Sequence, residues 1–219
     1  MLSRYKGFIV FAGVVLLLLL AIYLTRPAPY NLGSYSASLK NLTPDQRRNV
    51  CLGARKINNT YVNPGMVFSF NAMVGPRTIE RGFVPSKVIF EGDVIESVGG
   101  GICLLSSALY NAVIRSNLQV VIRVAHTKII RSVPAGLDAT VWYGLNDLSF
   151  KNNTSAKVKV VALCSYDRLN VSIKGNEPDK LPEIIIEKHK MSEKETLVSV
   201  YKKVGGSVEK ISEDVYMKP

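Results

Sequence analysis

The stretch GGGICLLSSALYNAVIR, Gly99 to Arg115, sets the reading of the whole chain. Three successive glycines do not sustain a helix, but Leu105, Ala108, Leu109, Ala112 and Val113 then recur at i, i+3, i+4, i+7 and i+8, the spacing of one apolar helix face. A helix is therefore predicted to start at the glycines, with Cys103 in its first turn beside Ser106, Ser107 and Tyr110. A helix start offers unpaired amides and positive potential, which favour a thiolate. Amides around Gly100 to Leu104 suit an oxyanion, and glycine lets a substrate backbone approach closely. The competing reading of Cys103 is a small hydrophobe packed inside a helix.

A nucleophilic cysteine needs a base, and the chain has two histidines. His126 follows the predicted strand Gln119–Val124, whereas His189 sits in a charged run with Glu187, Lys188 and Lys190. Asp138 precedes the predicted strand Ala139–Tyr143 and would orient His126, with Asp147 as its rival. Cysteine on a helix followed by histidine and aspartate on strands is the order found in transglutaminase-like and permuted papain-like acyl transferases, a fold-level analogy. Cys103, His126 and Asp138 are thus the candidate catalytic set. Gly99, Gly100, Gly101, Leu104 and Ser106 are the candidates for oxyanion and substrate contacts. Arg77 and Arg81 flank Thr78 and Glu80 in a loop suited either to a bidentate grip on a carboxylate or to plain solvation. No CxxC, HExxH or carboxylate cluster is present, so neither metal nor cofactor is expected.

Working outward, Thr43-Pro44-Asp45 supplies an N-cap, an N1 proline and a first-turn acid for a helix carrying Val50, Ala54 and Ile57, up to Asn58-Asn59. Met66–Asn71, Val84–Phe90, Val94–Val98, Lys128–Val133, Ala156–Leu163 and Arg168–Lys174 read as further strands. The expected class is α+β, a mostly antiparallel sheet packed on two main helices. Residues 1–26 read as a cytoplasmic stub and membrane anchor, 27–41 as a linker, 42–175 as the main domain and 176–219 as a charged β extension. The anchor rests on Gly7–Leu24, a charge-free run preceded by Arg4 and Lys6, which predicts a cytoplasmic N-terminus and an extracytoplasmic remainder. No small-x-small cleavage site follows that run.

The 219 residues carry 28 basic and 17 acidic side chains. Residues 27–176 hold 17 of the bases and 8 of the acids, a net +9, which predicts an anionic neighbour such as a cell-wall polymer or lipid surface. Nucleic acid is not expected as a partner outside the membrane. Three cysteines, Cys51, Cys103 and Cys164, cannot all pair within one chain, and the sequence leaves the pairing of Cys51 with Cys164 open.

Several linked motifs then resemble the VanW family over residues 42–175. They are Phe68-Ser69-Phe70-Asn71, Gly75-Pro76-Arg77-Thr78 with Arg81-Gly82, Gly99-Gly100-Gly101-Ile102-Cys103 running to Ser106-Ser107 and Leu109–Ala112, then His126, Asp138–Val141 and Lys151-Asn152-Asn153. The family is named after an accessory gene of vancomycin-resistance clusters. The resemblance implies an L,D-transpeptidase acting on peptidoglycan stem peptides, with Cys103 as nucleophile and His126 as its partner. The alternative it carries is a non-catalytic module that binds wall peptides in glycopeptide resistance. Leu104 departs from the family, whose members usually place glutamine after the cysteine. The tail after Glu177 resembles the β extension that often follows this domain.

Overall fold

A computed structural model describes residues 29–90, 93–178 and 180–218, together with Phe11, Ala12 and Val15. In chain order the elements are β1 (Tyr30–Ser38), α1 (Pro44–Ile57), β2 (Thr60–Val62), β3 (Val67–Ser69), α2 (Phe70–Val74), a 3-10 turn (Ile79–Arg81), β4 (Pro85–Phe90), β5 (Asp93–Val98), α3 (Ile102–Arg115), β6 (Gln119–Ile122), β7 (Ser149–Lys151), β8 (Val158–Cys164), β9 (Arg168–Gly175), β10 (Glu183–Lys190), β11 (Glu195–Val204) and β12 (Ser207–Met217). Their pairing is antiparallel throughout, in four sheets ordered β1-β9-β8-β2, β3-β7-β6, β10-β11-β12 and β4-β5.

The helices form where local chemistry asks for them. Thr43 caps α1 by accepting from Gln46 N, and the Gln46 side chain returns a bond to the Thr43 amide, a complete capping box with Pro44 in the first turn. Val50, Ala54 and Ile57 of α1 and Leu105, Leu109, Ala112 and Val113 of α3 are buried with Val160, Val171 and Ile173 of the four-stranded sheet. Each such valine, leucine or isoleucine side chain contributes about 1.5–3 kcal/mol. The polar flank of α3 is buried as well. Asn111 Nδ2 donates to Leu137 O at 2.6 Å, and Ser107 Oγ accepts from Ala139 N at 2.9 Å, so α3 is enclosed on both sides.

The expectation of one sheet on two main helices, with histidine and aspartate on successive strands, is overturned. Strands are divided among four small sheets, three short helices are present among the described residues, and none of the strands covers residues 123–148. His126 and Asp138 therefore stand on irregular chain. The physical reason is that side chains replace strand neighbours as backbone partners: Asp138 Oδ2 accepts from His126 N, Ser107 Oγ from Ala139 N, and the Tyr216 hydroxyl from Gly136 N. The β-branched alternation of Lys128–Val133 and Ala139–Tyr143 reflects burial of Val133, Ala139 and Val141 rather than a ladder.

Two further segments differ from expectation. Tyr30–Ser38, expected within the linker, is the edge strand β1, and its Leu32 and Ala37 are buried. The predicted strand Met66–Asn71 stops at Ser69, whose hydroxyl caps α2 by accepting from Ala72 N at 3.0 Å. No helix among the described residues is long and apolar enough to cross a membrane. The expected anchor Gly7–Leu24 lies outside the described residues apart from Phe11, Ala12 and Val15.

Cys51 of α1 and Cys164 of β8 form a disulfide with Cα atoms 5.4 Å apart, closing a separation of 113 residues. A loop of that length gains roughly 4–5 kcal/mol in the chain-entropy account. Cys103 is the free cysteine.

Candidate active site

The glycine turn is built to put Cys103 at a helix start. Gly99 and Gly101 adopt φ of 92° and 91°, conformations that strain any residue with a Cβ. Gly100 lies so close to β4 that a Cβ there would stand 2.5 Å from both Lys87 O and Ser86 Oγ. Buried Asn49 of α1 clamps the assembly, donating to Val84 O, Ser86 Oγ and Gly100 O at 2.9–3.1 Å and accepting from Val84 N at 2.9 Å. The glycines are thus demanded by packing against β4 and α1, while Gly99 and Gly101 also border a cleft.

Cys103 is half-buried on that cleft, its Sγ 3.7 Å from Val141 O. His126 stands beside it. Burial works against the imidazolium, but the hydrogen bond to Asp138 and the thiol of Cys103 outweigh it and raise His126 from its usual 6.5 to about 9. The Nδ1 of His126 lies 2.6 Å from Asp138 Oδ2, which also accepts from the His126 backbone N at 2.7 Å. With Nδ1 so engaged, Nε2 is the ring nitrogen left for the thiol. Asp138 is fully buried. Burial opposes its charge, yet the bonds from His126, Tyr216 and Arg123 hold its carboxyl below the usual range.

The second oxygen of Asp138 is engaged too. Oδ1 accepts from the Tyr216 hydroxyl at 2.5 Å and from Arg123 Nη2 at 3.2 Å. Arg123 Nε donates to the Asp138 carbonyl at 2.8 Å, Nη1 pairs with Asp214, and the guanidinium lies 5.3 Å from the Tyr110 ring centroid. Arg123, Asp214 and Tyr216 escaped the sequence reading. Their order along the chain carries no motif, and only folding brings residues 78 to 93 positions apart into one polar network.

The cleft encloses about 1170 Å³, the size of a site for a peptide-like ligand. Besides Cys103 and His126 its lining includes Arg77, Lys87 and Arg131, and no aspartate or glutamate among the described residues. Arg77 Nη1 is held by Gly75 O at 3.1 Å, and its guanidinium faces the rings of Phe70 and Tyr143. Burial lowers the Arg77 pKa against the opposing pull of Cys103, Asp147 and Tyr143, which puts a cation beside the thiol.

Other sequence candidates are placed elsewhere or differently. Arg81 donates to Val74 O at 3.2 Å and packs on Gly75, away from the cleft lining. Ser106 is buried, its hydroxyl donating to Ala139 O at 2.6 Å, so it fixes the Asp138 segment against α3. Leu104 is buried, packing into the core while also lining the cleft, and its amide donates to Gly101 O at 3.0 Å. Asp147 accepts from Ser69 Oγ, Asn71 N and Leu148 N, which spends it on anchoring α2. His189 is exposed on β10. No group of three or more metal-ligating side chains occurs among the described residues.

A family model described as VanW like protein matches residues 45–174. The protein named Uncharacterized protein YoaR, of Bacillus subtilis (strain 168), is 36% identical over 166 residues, covering 70% of this chain and 55% of that relative. The Vancomycin B-type resistance protein VanW of Enterococcus faecalis (strain ATCC 700802 / V583) is 25% identical over 119 residues, covering 51% and 42%. The chain spans about half the length of these curated relatives. No solved structure matches. Cys103, His126 and Asp138 fall inside the matched segment, whereas Asp214 and Tyr216 fall beyond it.

Proposed function

The chain belongs to the VanW family, and from that premise we propose that it is an envelope protein performing cysteine acyl transfer on peptidoglycan stem peptides. The observation that carries this reading is the Cys103, His126 and Asp138 constellation on a cleft whose charged lining among the described residues is basic. His126 draws the thiol proton, and the Cys103 sulfur attacks the carbonyl that follows an L-centre. The carbonyl π electrons move onto oxygen, beside the positive potential of the α3 start and Arg77. Collapse of this intermediate breaks the C–N bond, and His126 returns its proton to the departing amine of the terminal D-residue. The thioester is then resolved by an acceptor amine, giving a cross-link, or by water, giving trimming. Asp138 keeps His126 in the required tautomer and orientation.

Arg77, Lys87 and Arg131 complement the carboxylates that a stem peptide carries. The Cys51–Cys164 disulfide supports an oxidising, extracytoplasmic compartment. The name of the enterococcal relative ties that protein to vancomycin resistance, and a role of this chain there belongs to the same proposal.

A second reading is favoured by Leu104, whose apolar side chain is buried where family members usually carry an amide. Under it the cleft binds wall peptides without turning them over. Mass spectrometry of stem peptides incubated with the protein and with Cys103→Ala separates the two. Loss of a terminal D-residue in wild type alone supports acyl transfer. Peptides left intact by folded wild type defeat it and leave the binding module.

A further inference from the structure

We propose that the C-terminal sheet, which lies beyond the segment matched by the family model, is a working part of the site, and that Tyr216 and Asp214 of β12 are positioning residues acting on His126 through Asp138 and Arg123. This rests on Cys103 and His126 being the reacting pair named above.

Four sets of contacts converge. The Tyr216 side chain is buried, and its hydroxyl donates to Asp138 Oδ1 at 2.5 Å while accepting from Gly136 N at 2.8 Å and Arg123 Nη2 at 3.1 Å. Burial and the neighbouring Asp138 charge push the Tyr216 pKa well above its usual value, so the hydroxyl keeps the proton it donates. Asp214 pairs with Arg123 Nη1, and the same guanidinium reaches both the side chain and the carbonyl of Asp138. The end of β12 also stitches down the backbone next to His126: Met217 N donates to Thr127 O at 2.8 Å, and Ile129 N to Met217 O at 3.0 Å. Finally, Val198 and Val200 of β11 pack so closely on Gly136 that a Cβ there would lie 2.7–2.8 Å from them.

A merely appended sheet would meet the domain through apolar contacts. Here it contributes buried polar groups aimed at one carboxylate. Without it Asp138 Oδ1 would keep only Arg123, Arg123 would lose its second acid, and Gly136 N–H would lose its acceptor. The loop carrying His126 has no ladder of its own, so these bonds supply the rigidity that a general base requires.

The test is the rate at which iodoacetamide alkylates Cys103 at pH 7 in the full-length protein, with melting temperature measured alongside. Tyr216→Phe should slow alkylation at least about tenfold and shift melting only slightly, because the ring stays in place. Asp214→Asn should slow it by a smaller factor, and it serves as the measured variant if Tyr216→Phe does not fold. Leu169→Ala, in the core of β9 and away from the network, should lower the melting temperature and leave the alkylation rate unchanged. Alkylation of Tyr216→Phe or of folded Asp214→Asn at or above the wild-type rate overturns the assignment. Because alkylation needs no peptide, this pattern in a protein that leaves stem peptides intact would retain the role of the C-terminal sheet while defeating acyl transfer.

Discussion

The two halves of the site are ordered by different means. On the Cys103 side, a glycine turn leads directly into α3, and the order comes from a helical ladder, left-handed glycines and the Asn49 clamp. On the His126 side, residues 123–148 contain no strand, and order comes from side chains converging on one buried carboxylate, some from as far along the chain as β12. Cys103 is thus placed by a helix start that a single buried amide braces, and His126 by polar side-chain contacts gathered from along the chain. A local element tolerates loss of a distant partner, while a polar network fails as a unit.

The largest break in this comparison should come from Asp138→Ala. It strands His126, Arg123 and Tyr216 together, and removing one member of a buried charged network costs about 3–5 kcal/mol. Urea unfolding should show that loss. Hydrogen exchange should quicken at the His126 amide while α3 stays protected, and uniform exchange across both halves would contradict the division.

Next in size is the effect of pH. His126 is raised to about 9, so the folded state holds the proton more tightly than the unfolded chain does. Its stabilisation is complete below pH ~6.5 and disappears as pH rises through ~9, on the order of 3 kcal/mol. Because Cys103 contributes to the rise, Cys103→Ala should lower the His126 pKa and shrink the alkaline loss. Histidine NMR titration of both proteins measures this directly.

Smallest is Gly100→Ala, which tests the other half. The added methyl meets backbone and a buried hydroxyl at 2.5 Å, an overpacking cost of about 1–3 kcal/mol. Melting should fall accordingly, and the His126 titration should stay near its wild-type value. A large change in that titration would show the halves to be tightly coupled.

Legibility in the sequence follows the same division. The period of Leu105 to Val113 located α3, Thr43-Pro44 located the start of α1, and Val84–Val98 gave the β4–β5 hairpin, each within a residue or two. The sequence also brought Cys103, His126 and Asp138 forward together, and the fold places the three in one chain of contacts. Several stretches misled it. Lys128–Val133 and Ala139–Tyr143 carry strand-like alternation, but Ile129 N turns to the Met217 carbonyl and Ala139 N to the Ser107 hydroxyl, partners that no local pattern records. Tyr30–Ser38 looked like polar linker because of its serines and tyrosines, yet Leu32, Gly33 and Ala37 turn inward and Tyr35 packs half-buried on the core.

What the sequence determined by itself is what neighbouring residues settle among themselves: the starts of the two long helices, the Thr43 cap, the β4–β5 hairpin, the family motifs and a thiol at a helix start. Tertiary structure alone decided that Asp138 rather than Asp147 holds His126, that Cys51 pairs with Cys164, and that Arg123, Asp214 and Tyr216 belong to the site. The reason is physical. Helices and turns are stabilised by contacts three or four residues apart, whereas a buried carboxylate takes whichever donors packing brings to it, however distant they are in the chain.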